Sequence, residues 1–124
     1  MKKQLTLLIV AILLVTTYAV LKIGSINAAP QVDISYSRDV QPILESRCAS
    51  CHFGEFTSAE LHMDTYESLM AGSENGPVIV PGNAKKSLLV QKISSGEMPK
   101  RGPKLTPAQV QIIRDWINSG AEDN

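Results

Sequence analysis

At 124 residues the chain has room for one domain behind whatever its N-terminus is. Aromatic residues make up only 5 % of it, so a folded part of under about a hundred residues has a thin core of its own. The formal net charge of zero hides an asymmetry: three of the 12 Lys and Arg (Lys2, Lys3, Lys22) lie in or beside the N-terminal stretch and none of the 12 Asp and Glu does, which leaves the remainder at −3. That balance argues against a nucleic-acid partner, which needs a basic face.

The chain opens on Lys2 and Lys3, followed by a nearly continuous apolar run over residues 5–21. The run is long for the core of a secretory signal, about 7–15 residues, and short for a bilayer span, about 17 or more. The sequence Ile26-Asn27-Ala28-Ala29-Pro30 is a poor cleavage site. A retained anchor through residues 5–23 is therefore favoured over a cleaved signal, with the boundary drawn between 1–29 and 30–124. Either way Lys2 and Lys3 stay on the cytoplasmic side, and the rest is expected on the extracytoplasmic (periplasmic) side of a bacterial membrane.

A first helix is expected from about Asp39, as N-cap, with Pro42 in its first turn, where a missing N–H is tolerated. Val40, Ile43, Leu44 and Arg47 fall at helical spacing and read as ordinary core. The helix ends in Cys48-Ala49-Ser50-Cys51-His52, the C-x-x-C-H pattern of c-type haem attachment, and these are the only cysteines in the chain. Two thiols three residues apart on a helical turn reach the same edge of a porphyrin. The next residue brings an imidazole to the iron. Three other readings compete. A dithiol redox motif belongs in a βαβ context that is not seen. A zinc site would have to count Cys48, Cys51, His52 and His62, with an awkward corner at adjacent Cys51 and His52. A disulfide across so short a loop removes little chain entropy. Attachment of one haem c, through Cys48 and Cys51 with His52 on the iron, is favoured over all three.

Residues 53–63 read as a loop. Asp64 to Glu67 resembles a capping box before a short helix, Tyr66 to Ala71, closed by Gly72. A turn cluster follows at 73–77, then the apolar Val78, Ile79 and Val80. Asn83 is placed to cap a helix carrying Leu88, Leu89, Val90 and Ile93, ended by Gly96. Residues 97–104, with Pro99, Gly102 and Pro103, form an irregular connection. Thr106, Pro107 and Gln109 open the last helix as a capping box with proline at its first position; Val110, Ile113 and Ile117 form its apolar face, and Gly120 ends it.

A second iron ligand is expected from Met or His. Met70 reads as core, and Met63 and His62 lie close in sequence to His52. Met98 sits far along the chain in a proline-stiffened connection and is the favoured ligand, with His62 or an open site as alternatives. Lys100, Arg101 and Lys104 follow it and are weighed evenly as a basic docking rim or a solvated loop.

With these residues in place, the chain resembles a class I cytochrome c, and more narrowly the small planctomycete-type cytochrome c domains. The resemblance rests on Asp39-Val40-Gln41-Pro42-Ile43-Leu44, the Cys48 to His52 motif, Leu61 with Met63 to Glu67, Val80-Pro81-Gly82, Ser87-Leu88-Leu89, Met98-Pro99, and Leu105-Thr106 with Ile113, Trp116, Gly120 and Ala121. It covers about residues 35–121. It implies an all-α fold of about four short helices around one covalently bound haem, with the first and last helices crossing and Trp116 packed there. It also implies a proline carbonyl, at Pro77 or Pro81, for the Nδ1–H of His52. The expected function is one-electron transfer without catalysis. The alternative is a haem-based sensor or peroxidase-like domain with a labile Met98.

Overall fold

The computed structural model describes residues 3–4 and 33–124. The chain divides into two units, Met1–Val32 and Asp33–Asn124, and the second contains both cysteines. The expected anchor over residues 5–23 and the cleavage question at residues 26–30 lie outside the described residues. Among the described residues no helix is long and apolar enough to cross a membrane.

Four α-helices make up the second unit: α1 (Gln41–His52), α2 (Tyr66–Ala71), α3 (Leu88–Ser94) and α4 (Pro107–Asn118). No strand occurs among the described residues, only an isolated bridge between Ser73 and Gly76. The all-α expectation is therefore met in the described part.

The first helical segment starts earlier than the sequence suggests. A π-helical turn, Tyr36–Val40, runs straight into α1. Its cap is Ser35, whose Oγ accepts from the Arg38 amide at 3.3 Å, while Asp39 Oδ2 accepts the Ser35 amide at 2.9 Å. Asp39 thus closes the cap from inside the turn instead of forming it. The exchange satisfies donors that a bare helix start would leave open. Pro42 falls in the first turn of α1 as expected.

Thr65, not Asp64, caps α2. Its Oγ1 accepts the Ser68 amide and the Ser68 Oγ accepts the Thr65 amide, both at 3.2 Å. A hydroxyl pair one residue further on makes the reciprocal exchange that was expected of Asp64 and Glu67. Gly72 ends α2 at φ +87°, and a Cβ there would meet the Gly76 oxygen at 2.6 Å. Glycine is required at this place on both counts. Asn83 caps the 3₁₀ turn Ala84–Lys86 through its Oδ1 to the Lys86 amide, 3.0 Å, so α3 begins only at Leu88. The capping box of α4, with Thr106 and Gln109, forms as expected.

The core has two parts. In one, the aromatic rings of Tyr36, Tyr66 and Trp116 pack together, Tyr36 lying 5.3 Å from each of the others between ring centres. Ile113, Trp116 and Ile117 of α4 are almost wholly buried, and α4 packs on the π turn that opens the first helical segment. The chain after α4 folds back to fasten this cluster. The Trp116 indole donates to the Glu122 carbonyl at 2.9 Å and the Tyr66 hydroxyl to the Ala121 carbonyl at 2.8 Å. The fully buried Ser87 stitches the 80–83 turn to the start of α3, accepting the Val80 amide at 2.9 Å and donating to the Asn83 carbonyl at 3.0 Å. Gly82 and Ala84 donate to the end of α4, at the Ile117 carbonyl and the Asn118 side chain. The second part of the core is the wall of a cavity.

One group in the aromatic cluster is unsatisfied. The Tyr36 hydroxyl is buried without a hydrogen-bond partner among the described residues. Burial, with Asp123 adding to it, pushes its pKa from 10.0 up to about 12. A phenol kept neutral by the fold contributes stability that is whole below about pH 10 and is lost as pH rises through about 12. Tyr36→Phe is expected to lie within about 1 kcal/mol of the parent at pH 7, because an unpaired hydroxyl is removed. It should also lose less stability than the parent between pH 10 and 12. Denaturant titrations at both ends of that range check this.

Candidate functional site

The end of α1 places Cys48, Ser50, Cys51 and His52 on a cavity of about 250 Å³. Its walls are mostly apolar and come from α1, the loop after it, the 73–78 turn, α3 and the 98–100 segment. Cys48 and His52 are buried, and Cys51 is half-buried. Both thiols are free. Burial, with Cys51 close by, pushes the Cys48 thiol from 9.0 up to about 11.

The imidazole of His52 is oriented by the backbone. Its Nδ1 lies 3.2 Å from the carbonyl oxygen of Leu61, in a buried contact. A carbonyl can only accept, so Nδ1 carries a proton, and in the neutral ring the lone pair is then on Nε2. The Pro77 and Pro81 carbonyls implied by the resemblance are not the partners. The loop after α1 doubles back instead, and the Met63 amide donates to the His52 carbonyl at 2.8 Å. That bond uses an acceptor which the end of a helix leaves open, and it carries Leu61 to the imidazole.

Met98 lines the same cavity, beside Pro99 and Lys100. Its amide donates to the Lys92 carbonyl near the end of α3 at 3.1 Å. Lys92 also reaches forward to form an ion pair with Glu97, and Lys104 donates to the Pro99 carbonyl. Met98 is thus held from both sides within an irregular segment. Lys100 lines the cavity, while Arg101 and Lys104 are exposed and do not.

The other ligand candidates separate. His62 is half-buried, with its Nδ1 3.7 Å from Asp64, and does not line the cavity. Met70 packs against the core and does not line the cavity. Met63 is buried and does line it. A zinc set does not form: among the described residues no three His, Cys, Asp or Glu side chains gather as metal donors. The sequence pattern missed two further residues of the site. Leu61 acts through its carbonyl, which no side-chain pattern reveals. Arg47, read as part of an apolar stripe, is a half-buried member of the cavity wall.

Residues 48–102 match a family model described as planctomycete cytochrome C. The matched stretch runs from the first cysteine past Met98, and it is a planctomycete-type cytochrome c domain. Neither the curated proteins nor the solved structures gave a match. A domain of this family implies haem c and haem-based electron transfer. The residues present fit that group: an apolar cavity, two free thiols on one helical turn, and an imidazole whose Nε2 is left open by its own hydrogen bond.

In haem-free protein the two thiols should differ in reactivity. Cys48 is buried and held in the neutral form, and the thiolate is the nucleophile. At pH 8, iodoacetamide is expected to label Cys51 before Cys48, with Cys48 catching up only as pH approaches 11. Peptide mass spectrometry of a time course reads this directly.

Proposed function

We propose that this domain is a one-electron carrier. One haem c is held through Cys48 and Cys51, with His52 and Met98 as axial ligands. When bound, the iron supplies the redox couple, Fe(III) to Fe(II) and back. Everything else is the work of the chain. Cys48 and Cys51 fix one edge of the group. The Leu61 carbonyl accepts from His52 Nδ1–H and so leaves Nε2 as the nitrogen that would bind the iron. The apolar walls exclude water.

The observation that carries the reading is that His52 and Met98, 46 positions apart in sequence, line one cavity with both thiols. Met63 is the weaker choice for the second ligand. Its own backbone is fastened to the carbonyl of His52, which ties it to the imidazole's side. Met98 would reach the group from a separate segment, fastened to the Lys92 carbonyl near the end of α3. Two filled axial positions leave the iron no vacancy for a substrate, which favours a carrier over an enzyme.

Replacing Met98 with Ala should abolish the thioether-to-iron charge-transfer band of the oxidised protein and lower the potential, because a thioether favours Fe(II). The variant should bind carbon monoxide readily when reduced, and the parent poorly. An unchanged band and potential would falsify the assignment. Ready carbon monoxide binding by the parent would favour the sensor reading, in which Met98 is labile.

The proposed setting is the extracytoplasmic side of a bacterial membrane, held there through residues 5–23 if that segment is retained. The proposed partner is an acidic redox protein docking near Lys100, Arg101 and Lys104. Such docking predicts that transfer rates fall with added salt. Stopped-flow rates that ignore both ionic strength and charge reversal at the three positions would dispose of it.

A further inference from the structure

Arg47 is the residue of the cavity wall that the functions assigned so far leave without work. It precedes Cys48 directly in the last turns of α1, so its backbone is set by the same helix. Its side chain is half-buried, and its Nε is fully buried with no hydrogen-bond partner among the described residues. Leaving a guanidinium donor buried and unpaired costs free energy unless something in the site compensates. The other cations on the wall are differently placed. Lys92 is paired with Glu97, and Lys100 lies in the irregular segment after Met98.

We propose that Arg47 is the fixed cation that tunes the reduction equilibrium of the haem toward Fe(II). This rests on the reading that the cavity holds a haem. In the step concerned, a reduced donor protein gives up one electron and Fe(III) becomes Fe(II). No bond is made or broken and no proton moves. The iron and the porphyrin nitrogens together fall from a net charge of +1 to 0. A positive charge held close by in a medium of low dielectric penalises the oxidised form more than the reduced one. Arg suits this work because its guanidinium does not lose its proton, and it is more weakly hydrated than an ammonium group. Arg47 lines the same cavity as Cys48, Cys51 and His52, so its charge would border the group that they hold. It is carried by a helix and not by a loop.

The test compares haem-loaded parent, Arg47→Gln and Arg47→Lys by spectroelectrochemical titration at fixed pH and salt. Arg47→Gln is expected to shift the reduction equilibrium toward Fe(III) on the order of three- to tenfold, and Arg47→Lys to stay within about twofold of the parent. The charge-transfer band of the thioether ligand should persist in both, so that a lost ligand is not mistaken for a lost charge. An unshifted or opposite response of Arg47→Gln overturns the proposal. So does an equal fall in Arg47→Lys, which would make the role one of shape. Should Arg47→Gln not load haem, Arg47→Met is judged by the same criteria. If no neutral variant loads while Arg47→Lys does, the cation holds the group instead of tuning it, and the proposal falls. The parent is measured first by pyridine haemochrome. A parent without haem defeats the underlying reading, whereas a normal parent couple with indifferent variants defeats this inference alone.

Discussion

A buried hydrogen bond between one imidazole and one backbone carbonyl sets the terms for the site. The proposed role of His52 needs a bare Nε2, and an acceptor at Nδ1 provides it. Leu61 supplies the acceptor because the chain leaves α1 through an extended Phe53 and returns within ten residues. The return is fixed by a second bond, from the Met63 amide to the carbonyl of His52 itself. One loop therefore completes the C-terminus of α1, orients the imidazole and supplies four residues of the cavity wall, Ser58, Ala59, Leu61 and Met63. Lengthening it would disturb all of these together.

The aromatic cluster and the cavity divide the labour of the core. Tyr36, Tyr66 and Trp116 tie the start of the first helical segment, α2 and α4 to one another, and none of these three residues lines the cavity. The cavity wall draws on the end of α1, α3 and the connections, and on no residue of α2 or α4. A chain with few aromatic side chains has placed three of them where the helices meet. The remaining apolar contact is left to be made around a ligand.

The helices were legible because their signals are local. The α4 capping box, the glycine after α2 and the apolar spacing of residues 110–117 each lie within a few residues of what they determine. The starts of α1 and α2 were shifted because several hydroxyls and carboxylates compete for the same amides. At Ser35 and Asp39 the donor and acceptor roles are shared in a way that composition does not rank. Of the cavity wall, the thiols, His52 and Met98 stood out in the sequence as residue types at a spacing, and the fold brings them to one cavity. The Leu61 carbonyl did not stand out, since every residue carries one and only the path of the loop selects it. Arg47 was misread for a related reason. Helical periodicity says which way a side chain faces, and here that face borders a cavity instead of packed side chains.

The same distinction bears on how Met98 is held. A sulfur ligand on a helix would be positioned by the helix. Met98 instead lies in a segment with no regular structure, so its position depends on ties made at both ends. On one side are its own amide to the Lys92 carbonyl and the Lys92–Glu97 pair. On the other is Lys104 to the Pro99 carbonyl. The two side-chain ties are exposed, and exposed ion pairs contribute little to global stability. Their effect falls on the local free energy of opening this segment, which is smaller than that of unfolding the domain. A modest change in these ties would therefore alter how often the sulfur leaves the cavity while leaving the fold intact. On the proposed reading, the difference between a carrier and a sensor would lie in the 92–104 segment, and not in the Cys48 to His52 motif.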